Sequence, residues 1–131
     1  MDETTIVEDL TDSTWETRIE RGELPSIVMF HSPTCPFCKQ IEPYFRDFSG
    51  EYAGRILFAR LDVSTNPWTV ERYAVRQTPT FKFFCSGKPV QELVGAAFPA
   101  LLKKNIDEFL KHGEGCARSS SEIDYEITGY A

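Results

Sequence analysis

Residues 31–43 read HSPTCPFCKQIEP, and this stretch decides the fold because it joins a predicted strand to a predicted helix. The nearly continuous apolar run before it, at 26–30, is typical of a strand buried on both faces of a parallel-type sheet. Behind it, apolar and aromatic residues recur at spacings of three and four over 41–52, which indicates a helix that Pro43 interrupts and kinks. Two cysteines lie at this junction, so their chemistry depends on how a strand end meets a helix start.

The position of the cysteines predicts a redox-active pair. A thiolate, not a thiol, attacks a disulfide, and the first-turn amides and dipole of a helix favour negative charge at its N-terminus. Pro36 suits an early helical position, where its missing N–H costs nothing. We therefore assign Cys35 the role of the exposed attacking nucleophile. Cys38, one turn further in and more buried, is assigned as the resolving cysteine that breaks the mixed disulfide.

A metal site and a structural disulfide are the two alternative roles for the pair. A structural zinc site normally needs four ligands, whereas the remaining cysteines, Cys85 and Cys116, and the two histidines, His31 and His112, are isolated in the sequence. An inert structural disulfide would more often link distant segments than close so small a loop. We expect no metal and no tightly bound cofactor.

Outward from this junction, predicted strands and helices alternate, which is typical of an α/β fold. Three further strands are expected, at 56–63, 80–85 and 90–96, the last two joined by the turn SGKP. Three further helices are expected, over 10–22 behind a threonine or aspartate cap, within 65–75, and over 99–113.

Composition and charge limit the function classes. The 131 residues are 41% hydrophobic and 13% aromatic, which suits one compact domain with its own core. The net charge of −6 comes from the two ends of the chain, and the middle carries no basic stripe, so nucleic acid is not an expected partner. The acidic N-terminus lacks the features of a secretory signal and no stretch approaches the roughly 20 apolar residues of a membrane span, so we expect a cytoplasmic protein that does not bind membranes. A secreted chain whose signal had been removed would look the same.

The chain divides into an acidic N-terminal arm (1–9), one domain (10–113) and a polar C-terminal tail (114–131). The tail is expected to be disordered, with pairing to a sheet edge through the alternating Ile123, Tyr125 and Ile127 as the alternative. Cys85 ends a predicted strand, where it is expected to pack as a small apolar residue. Cys116 lies in the tail and is interpreted either as an incidental surface thiol or as half of a regulatory disulfide.

From about Leu10 to Lys111 the chain resembles thioredoxins. CPFCKQIEP has the C-x-x-C-K-x-x-x-P form of that family's active-site helix, and DVSTNPWTVERYAVRQTPTF follows its order of N-P, Y-x-V/I-R and x-P-T. LTDSTWE, SGKP and LVGA resemble its N-terminal helix entry, its hairpin turn and the glycine before its last helix. The resemblance implies a thioredoxin fold, in which helices flank both faces of a central mixed β-sheet.

The resemblance also implies a substrate groove. Pro79 is expected to be cis and to lie against the active-site disulfide, while Thr78 offers its backbone to an incoming substrate strand. Gly95 is expected at the same groove, with Pro36 and with Phe37 as an exposed apolar contact.

Departures from the family pattern bear on redox tuning. The usual W-C-G-P-C is TCPFC here, so Thr34 replaces a tryptophan, and Pro36-Phe37 is closer to the C-P-Y-C of glutaredoxins. Residues between the cysteines tune thiolate stability, so we expect a reduction potential above that of thioredoxin.

Two further departures concern charge. The family buries an aspartate six residues before the first cysteine, where this chain has Met29. Arg60 takes the place of the family's buried lysine and is expected to turn outward, because that carboxylate is missing. His31 replaces another tryptophan and is interpreted either as a rim residue of the groove or as an imidazole that stabilises the Cys35 thiolate or shuttles a proton.

These observations predict a monomeric protein-disulfide reductase, acting by dithiol–disulfide exchange and supplied with electrons by a thioredoxin-reductase-type donor. Its substrates would be proteins that contain disulfides. One alternative is a glutaredoxin-like or more oxidising thiol transferase, and another is a thioredoxin-fold binding or adaptor module with weak turnover.

Overall fold

Five strands form one mixed sheet in the computed structural model, which describes residues 7–95 and 98–111. The strands are β1 (Glu8–Leu10), β2 (Ser26–His31), β3 (Leu57–Asp62), β4 (Thr80–Cys85) and β5 (Lys88–Val94). Their order across the sheet is β1-β3-β2-β4-β5. The first three are parallel to one another, whereas β4 runs antiparallel to both of its neighbours.

Helices connect these strands and cover both faces of the sheet. They are a short π-helical segment (Glu16–Glu20), α1 (Pro36–Glu51), α2 (Pro67–Arg72) and α3 (residues 99–111). Helix α1 continues through Pro43. None of the helices in the described ranges is long and apolar enough to cross a bilayer.

Strand alternation divides the core into two layers. Helices α1 and α3 pack on the face that carries Met29, and the buried residues of this layer include Ile27, Phe45, Phe58, Phe81, Phe83, Leu102 and Phe109. The π-helical segment and α2 lie against the other face, whose buried residues include Leu10, Trp15, Val28, Phe30, Leu61 and Phe84. The predicted α/β fold, a mixed sheet with helices on both faces, is confirmed.

The N-terminal segment differs from its prediction as one helix over 10–22. Leu10 belongs to β1, and the helical part is limited to Glu16–Glu20. The strand also includes two residues assigned to the acidic arm, because pairing with β3 buries Leu10 in the core. A three-residue strand has no period that a sequence pattern can show.

Asp12 of this segment caps α2 and not the π-helical segment that follows it in the sequence. The Asp12 carboxylate accepts hydrogen bonds from the backbone N–H groups of Trp68 (3.2 Å) and Thr69 (2.9 Å) and from the Thr69 hydroxyl (2.7 Å). These groups belong to the first turn of α2, so a residue from the N-terminal segment stabilises the start of a helix far along the chain.

The hairpin between β4 and β5 has a tighter turn than predicted. Strand β5 starts at Lys88 and Pro89, within the stretch expected to be the turn, and its register against β4 shifts between Phe83 and Phe84. Several predictions fall outside the described residues. They concern the helix end at Gly113, the residues His112 and Cys116, and the whole of the 114–131 tail.

Candidate active site

Strand register brings two loops and the residue after β5 together at one end of the central strands. Phe30, near the end of β2, pairs with Thr80 at the start of β4, and Thr80 pairs with Val94 at the end of β5. Because β4 is antiparallel to both neighbours, the loop after β2, the loop before β4 and the residue after β5 meet there. The predicted site residues on these loops are therefore brought together.

The two cysteines of the motif form a disulfide at the start of α1, with their Cα atoms 5.2 Å apart. Cys35 is the N-cap residue, and its Sγ accepts a hydrogen bond from the Cys38 backbone N–H at 3.1 Å. Pro36 occupies the first turn of the helix, as predicted. A sulfur held in this way experiences the partial positive charge of the helix N-terminus.

The expectation of an exposed Cys35 is corrected by the structure. Cys35 has 7% of its surface exposed and Cys38 has 3%, so both are buried, although the predicted order is kept. The reason is the N-cap position, which turns the Cys35 sulfur toward the first-turn amides instead of toward solvent.

A short network of hydrogen bonds shapes the loop before Cys35. The backbone N–H of Cys35 donates to the Ser32 carbonyl (3.2 Å), and the N–H of Thr34 donates to the Ser32 hydroxyl (3.2 Å). The Thr34 side chain is exposed, and its hydroxyl oxygen lies 3.1 Å from that of Ser32. A threonine thus supports the loop where the family pattern has a tryptophan.

The Thr78–Pro79 peptide bond is cis, which confirms that expectation. Pro79 is buried, Thr78 is half-buried, and the Pro79 carbonyl accepts a hydrogen bond from the N–H of Gly95 at 2.8 Å. Gly95 has a φ of +93°, which favours glycine, and a Cβ there would lie 3.2 Å from the Gln77 amide nitrogen. Glycine therefore fits the point where the end of β5 approaches this proline.

Phe37 has 52% of its surface exposed, although it lies between the buried Cys35 and Cys38 in the first turn of α1. A phenyl ring that stays half in water at a reactive pair is suited to contact a partner. Its role in substrate binding stays a prediction.

Arg60 corrects the expectation that it turns outward. Its Nε donates to Asp9 of β1, its neighbour across the sheet, and its Nη1 donates to Glu42 Oε2 of α1 at 2.7 Å. The Arg60 side chain is only 24% exposed. Two carboxylates from other elements replace the missing one, so Arg60 stays over the sheet face that carries Met29.

His31 ends β2 and pairs in register with Asp62. Burial of the imidazole, together with the charge of Arg60, lowers the pKa of His31, and the carboxylates of Asp62, Glu42 and Asp9 only partly oppose this. A lowered pKa leaves His31 mainly uncharged at neutral pH, which disfavours stabilisation of a thiolate by a standing positive charge. The proton-shuttle and groove-rim interpretations stay as predictions.

Cys85, at the end of β4, is buried as predicted, but it is also disulfide-bonded. Packing as a small apolar residue is therefore an incomplete description of it. Within the described ranges, no set of three or more His, Cys, Asp and Glu side chains could hold a metal ion. The interpretation of Cys116 falls outside those ranges.

Two charged residues near the site are absent from the sequence-based prediction. Asp9 falls in the segment assigned to a separate arm, and its contact with Arg60 spans 51 positions, so no local pattern indicates it. Glu42 has a usable signal, because it follows Cys38 by four residues on a predicted helix and so lies on the same helix face.

Comparison with known proteins gives a consistent result. The sequence profile of the thioredoxin family matches residues 6–108. A chloroplastic M-type thioredoxin of Brassica napus is 34% identical over 102 residues, which are 78% of this chain and 58% of that protein. Thioredoxin M2 of Arabidopsis thaliana, also chloroplastic, is 34% identical over 82% of this chain and 58% of its own length. Thioredoxin 2 of Chlorobaculum tepidum is 29% identical over 78% of this chain and 94% of its own length. The chain thus spans less than two thirds of the length of the plant relatives.

Proposed function

This chain belongs to the thioredoxin family, and from that premise we propose that it is a thiol–disulfide oxidoreductase that reduces protein disulfides. The observation that carries the proposal is the Cys35–Cys38 disulfide at the N-terminus of α1. Strand register brings the loop with the cis Thr78–Pro79 bond to the same end of the sheet. The family match covers the segments that contribute both features.

The exchange proceeds in two steps. In the first, the Cys35 thiolate attacks one sulfur of a substrate disulfide, and the other substrate sulfur leaves as a thiolate that takes up a proton. In the second, Cys38 loses its proton and attacks the Cys35 sulfur, which releases the second substrate thiolate. The substrate gains two electrons and two protons, and the cysteine pair becomes the disulfide seen in the structure.

Chain elements around the pair would support both steps. The helix N-terminus favours the thiolate of Cys35 over its thiol. Thr78 would align an extended substrate segment through its backbone, and the exposed ring of Phe37 would add apolar contact.

The cellular setting is part of the proposal. A thioredoxin-reductase-type donor would regenerate the dithiol, and the protein would act as a monomer in the cytoplasm. The plant relatives are named as chloroplastic, so subcellular fractionation with an antibody against this chain is the measurement that assigns the location.

The test is dithiothreitol-driven reduction of insulin, followed by turbidity, with Cys35→Ser as the control. We expect the wild-type protein to accelerate reduction clearly above the variant. Equal rates would contradict the reductase and favour a binding or adaptor module.

A second candidate, a glutathione-dependent thiol transferase, is favoured by the Pro36-Phe37 pair between the cysteines. It predicts that glutathione reduces a mixed disulfide on Cys35 faster than Cys38 resolves it. Measuring both rates on the same mixed disulfide distinguishes the two candidates.

A further inference from the structure

The second step of the proposed exchange, on which this inference rests, requires a proton acceptor. Cys38 has only 3% of its surface exposed, and burial of a thiol in apolar surroundings disfavours its thiolate. The thiol must nevertheless lose its proton before it attacks Cys35. Met29, on the sheet face under α1, has no group that can accept it.

Glu42 is placed to do so. It follows Cys38 by one helical turn, and residues with this spacing have Cβ atoms about 5–6 Å apart on the same helix face. Its side chain is 29% exposed, whereas Cys38 is buried, so Glu42 is in contact with solvent on the helix face that it shares with the thiol. A proton received there has a path to water.

Two arginines hold the carboxylate by one oxygen. Arg60 Nη1 donates to Oε2 at 2.7 Å and Arg46 Nη2 donates to the same oxygen at 2.8 Å. Among residues 7–95 and 98–111, every hydrogen bond and ion pair of Glu42 is made by Oε2 and none by Oε1. The side chain is thus fixed in position while one oxygen stays available.

The register of the sheet explains why an arginine from β3 reaches this helix. Arg60 pairs with Met29 on one side and with Asp9 on the other, so the three side chains share the face that α1 covers. Asp9 binds Nε of Arg60 and thereby leaves Nη1 directed at Glu42.

We propose that Glu42 is the proton acceptor for Cys38 in the resolving step, and that Arg60 and Arg46 position it. The Sγ–H bond of Cys38 breaks, its proton moves to Glu42 Oε1, and the sulfur electron pair forms the bond to Cys35 Sγ. The bond between Cys35 and the substrate sulfur breaks, and the released thiolate takes up a proton from Glu42 or from water. In this step Cys38 is oxidised and the leaving substrate sulfur is reduced, while Cys35 stays at the disulfide level. Over both steps of the exchange each cysteine loses one electron and the substrate disulfide gains two.

Other charged groups near this face must be included in its pH dependence. Arg46 lies on α1, Arg60 and Asp62 on β3, Asp9 on β1 and His31 at the end of β2. The Glu42 carboxylate partly offsets the lowering of the His31 pKa, so a Glu42→Gln variant also changes that group. The profiles are therefore compared again in a His31→Asn background, where a remaining difference reports Glu42 itself.

The experiment isolates the resolving step. The reduced protein is loaded with thionitrobenzoate as a mixed disulfide on Cys35, and release of the coloured thiolate is followed from acid to alkaline pH. The variants are Glu42→Gln, Glu42→Asp and Glu51→Gln; the last removes the same charge at the far end of α1, where Glu51 pairs with Lys103.

We expect Glu42→Gln to slow release by at least about tenfold below neutral pH, because water then replaces a positioned base. The difference should vanish at alkaline pH, where Cys38 ionises unaided. Glu42→Asp should recover part of the lost rate, and Glu51→Gln should follow the wild type. A Glu42→Gln profile that overlays the wild type, or that is slower by the same factor at every pH, would overturn the proposal.

The two proposals fail in distinguishable ways. Insulin reduction no faster than that of Cys35→Ser refutes the reductase, whatever thionitrobenzoate release shows. A Glu42-independent pH profile refutes the proton acceptor even if insulin is reduced.

Discussion

Helices α1 and α2 start in the same way and serve different ends. Each has proline in its first turn, and each presents its first-turn N–H groups to an acceptor. At α1 the acceptor is the sulfur of its own N-cap residue, Cys35, whereas at α2 it is the carboxylate of Asp12 from the N-terminal segment. The same partial positive charge therefore favours a reactive thiolate at α1 and a permanent anion at α2. Helix α1 would use this charge in the proposed disulfide exchange, whereas helix α2 uses it to hold the Asp12 cap.

The largest expected effect concerns Cys38, the resolving cysteine in the first turn of α1. Cys38→Ser removes the resolving thiol, so exchange should stop at the mixed disulfide and turnover should fall by at least about a hundredfold. Non-reducing mass spectrometry after incubation with oxidised insulin should find the substrate bound to Cys35. Cys35→Ser, as the control, should trap nothing, and trapping by both variants would contradict the assigned roles.

A smaller effect concerns the residues between the cysteines. The double variant Pro36→Gly/Phe37→Pro should lower the reduction potential of the pair by about 40 mV, toward the roughly −270 mV of thioredoxin. The measurement is equilibration with a glutathione redox buffer. Asp12→Ala should leave the potential unchanged, because its carboxylate acts on the other helix. A wild-type potential already at or below about −270 mV would refute the tuning argument.

The smallest effect concerns the cap of α2. Asp12→Ala should reduce the free energy of unfolding by about 1 kcal/mol at neutral pH without changing the reactivity of Cys35. Urea unfolding measures it, with Asp47→Ala, an exposed aspartate of α1, as the matched control. Equal losses in the two variants would show that the cap contributes nothing of its own.

The same variant has a defined pH dependence. Burial acts to raise the pKa of Asp12, but hydrogen bonds from Thr69 and Trp68 outweigh it, so the pKa is lowered from its ordinary 3.8. A depressed pKa contributes stability that is present above 3.8 and is lost as the pH falls through the folded-state value. The difference in free energy of unfolding between wild type and Asp12→Ala should therefore become smaller in strong acid. A difference that grows there would contradict the lowered pKa of Asp12.

The comparison also separates what a sequence can predict from what it cannot. The apolar run at 26–30, the helix after the cysteines and the strand Thr80–Cys85 are predicted nearly to the residue, because each shows a clear apolar pattern. The sequence also predicts an aspartate or threonine cap near the N-terminus, yet Asp12 caps α2, 57 positions away from Thr69. The contact of Arg60 with Asp9 depends in the same way on strand pairing, so the sequence pattern leaves the arginine without a partner.

The two edge strands of the described sheet affect how readily the protein associates with other chains in crowded solution. One edge strand, β1, has three residues, and the other, β5, opens with Lys88 and Pro89. Short strands, prolines and lysines at an edge all disfavour the addition of a further strand from another molecule. The proposed function aligns an extended substrate segment along the backbone of Thr78. Because the edge strands disfavour pairing with that segment, the substrate can dissociate once its disulfide is reduced.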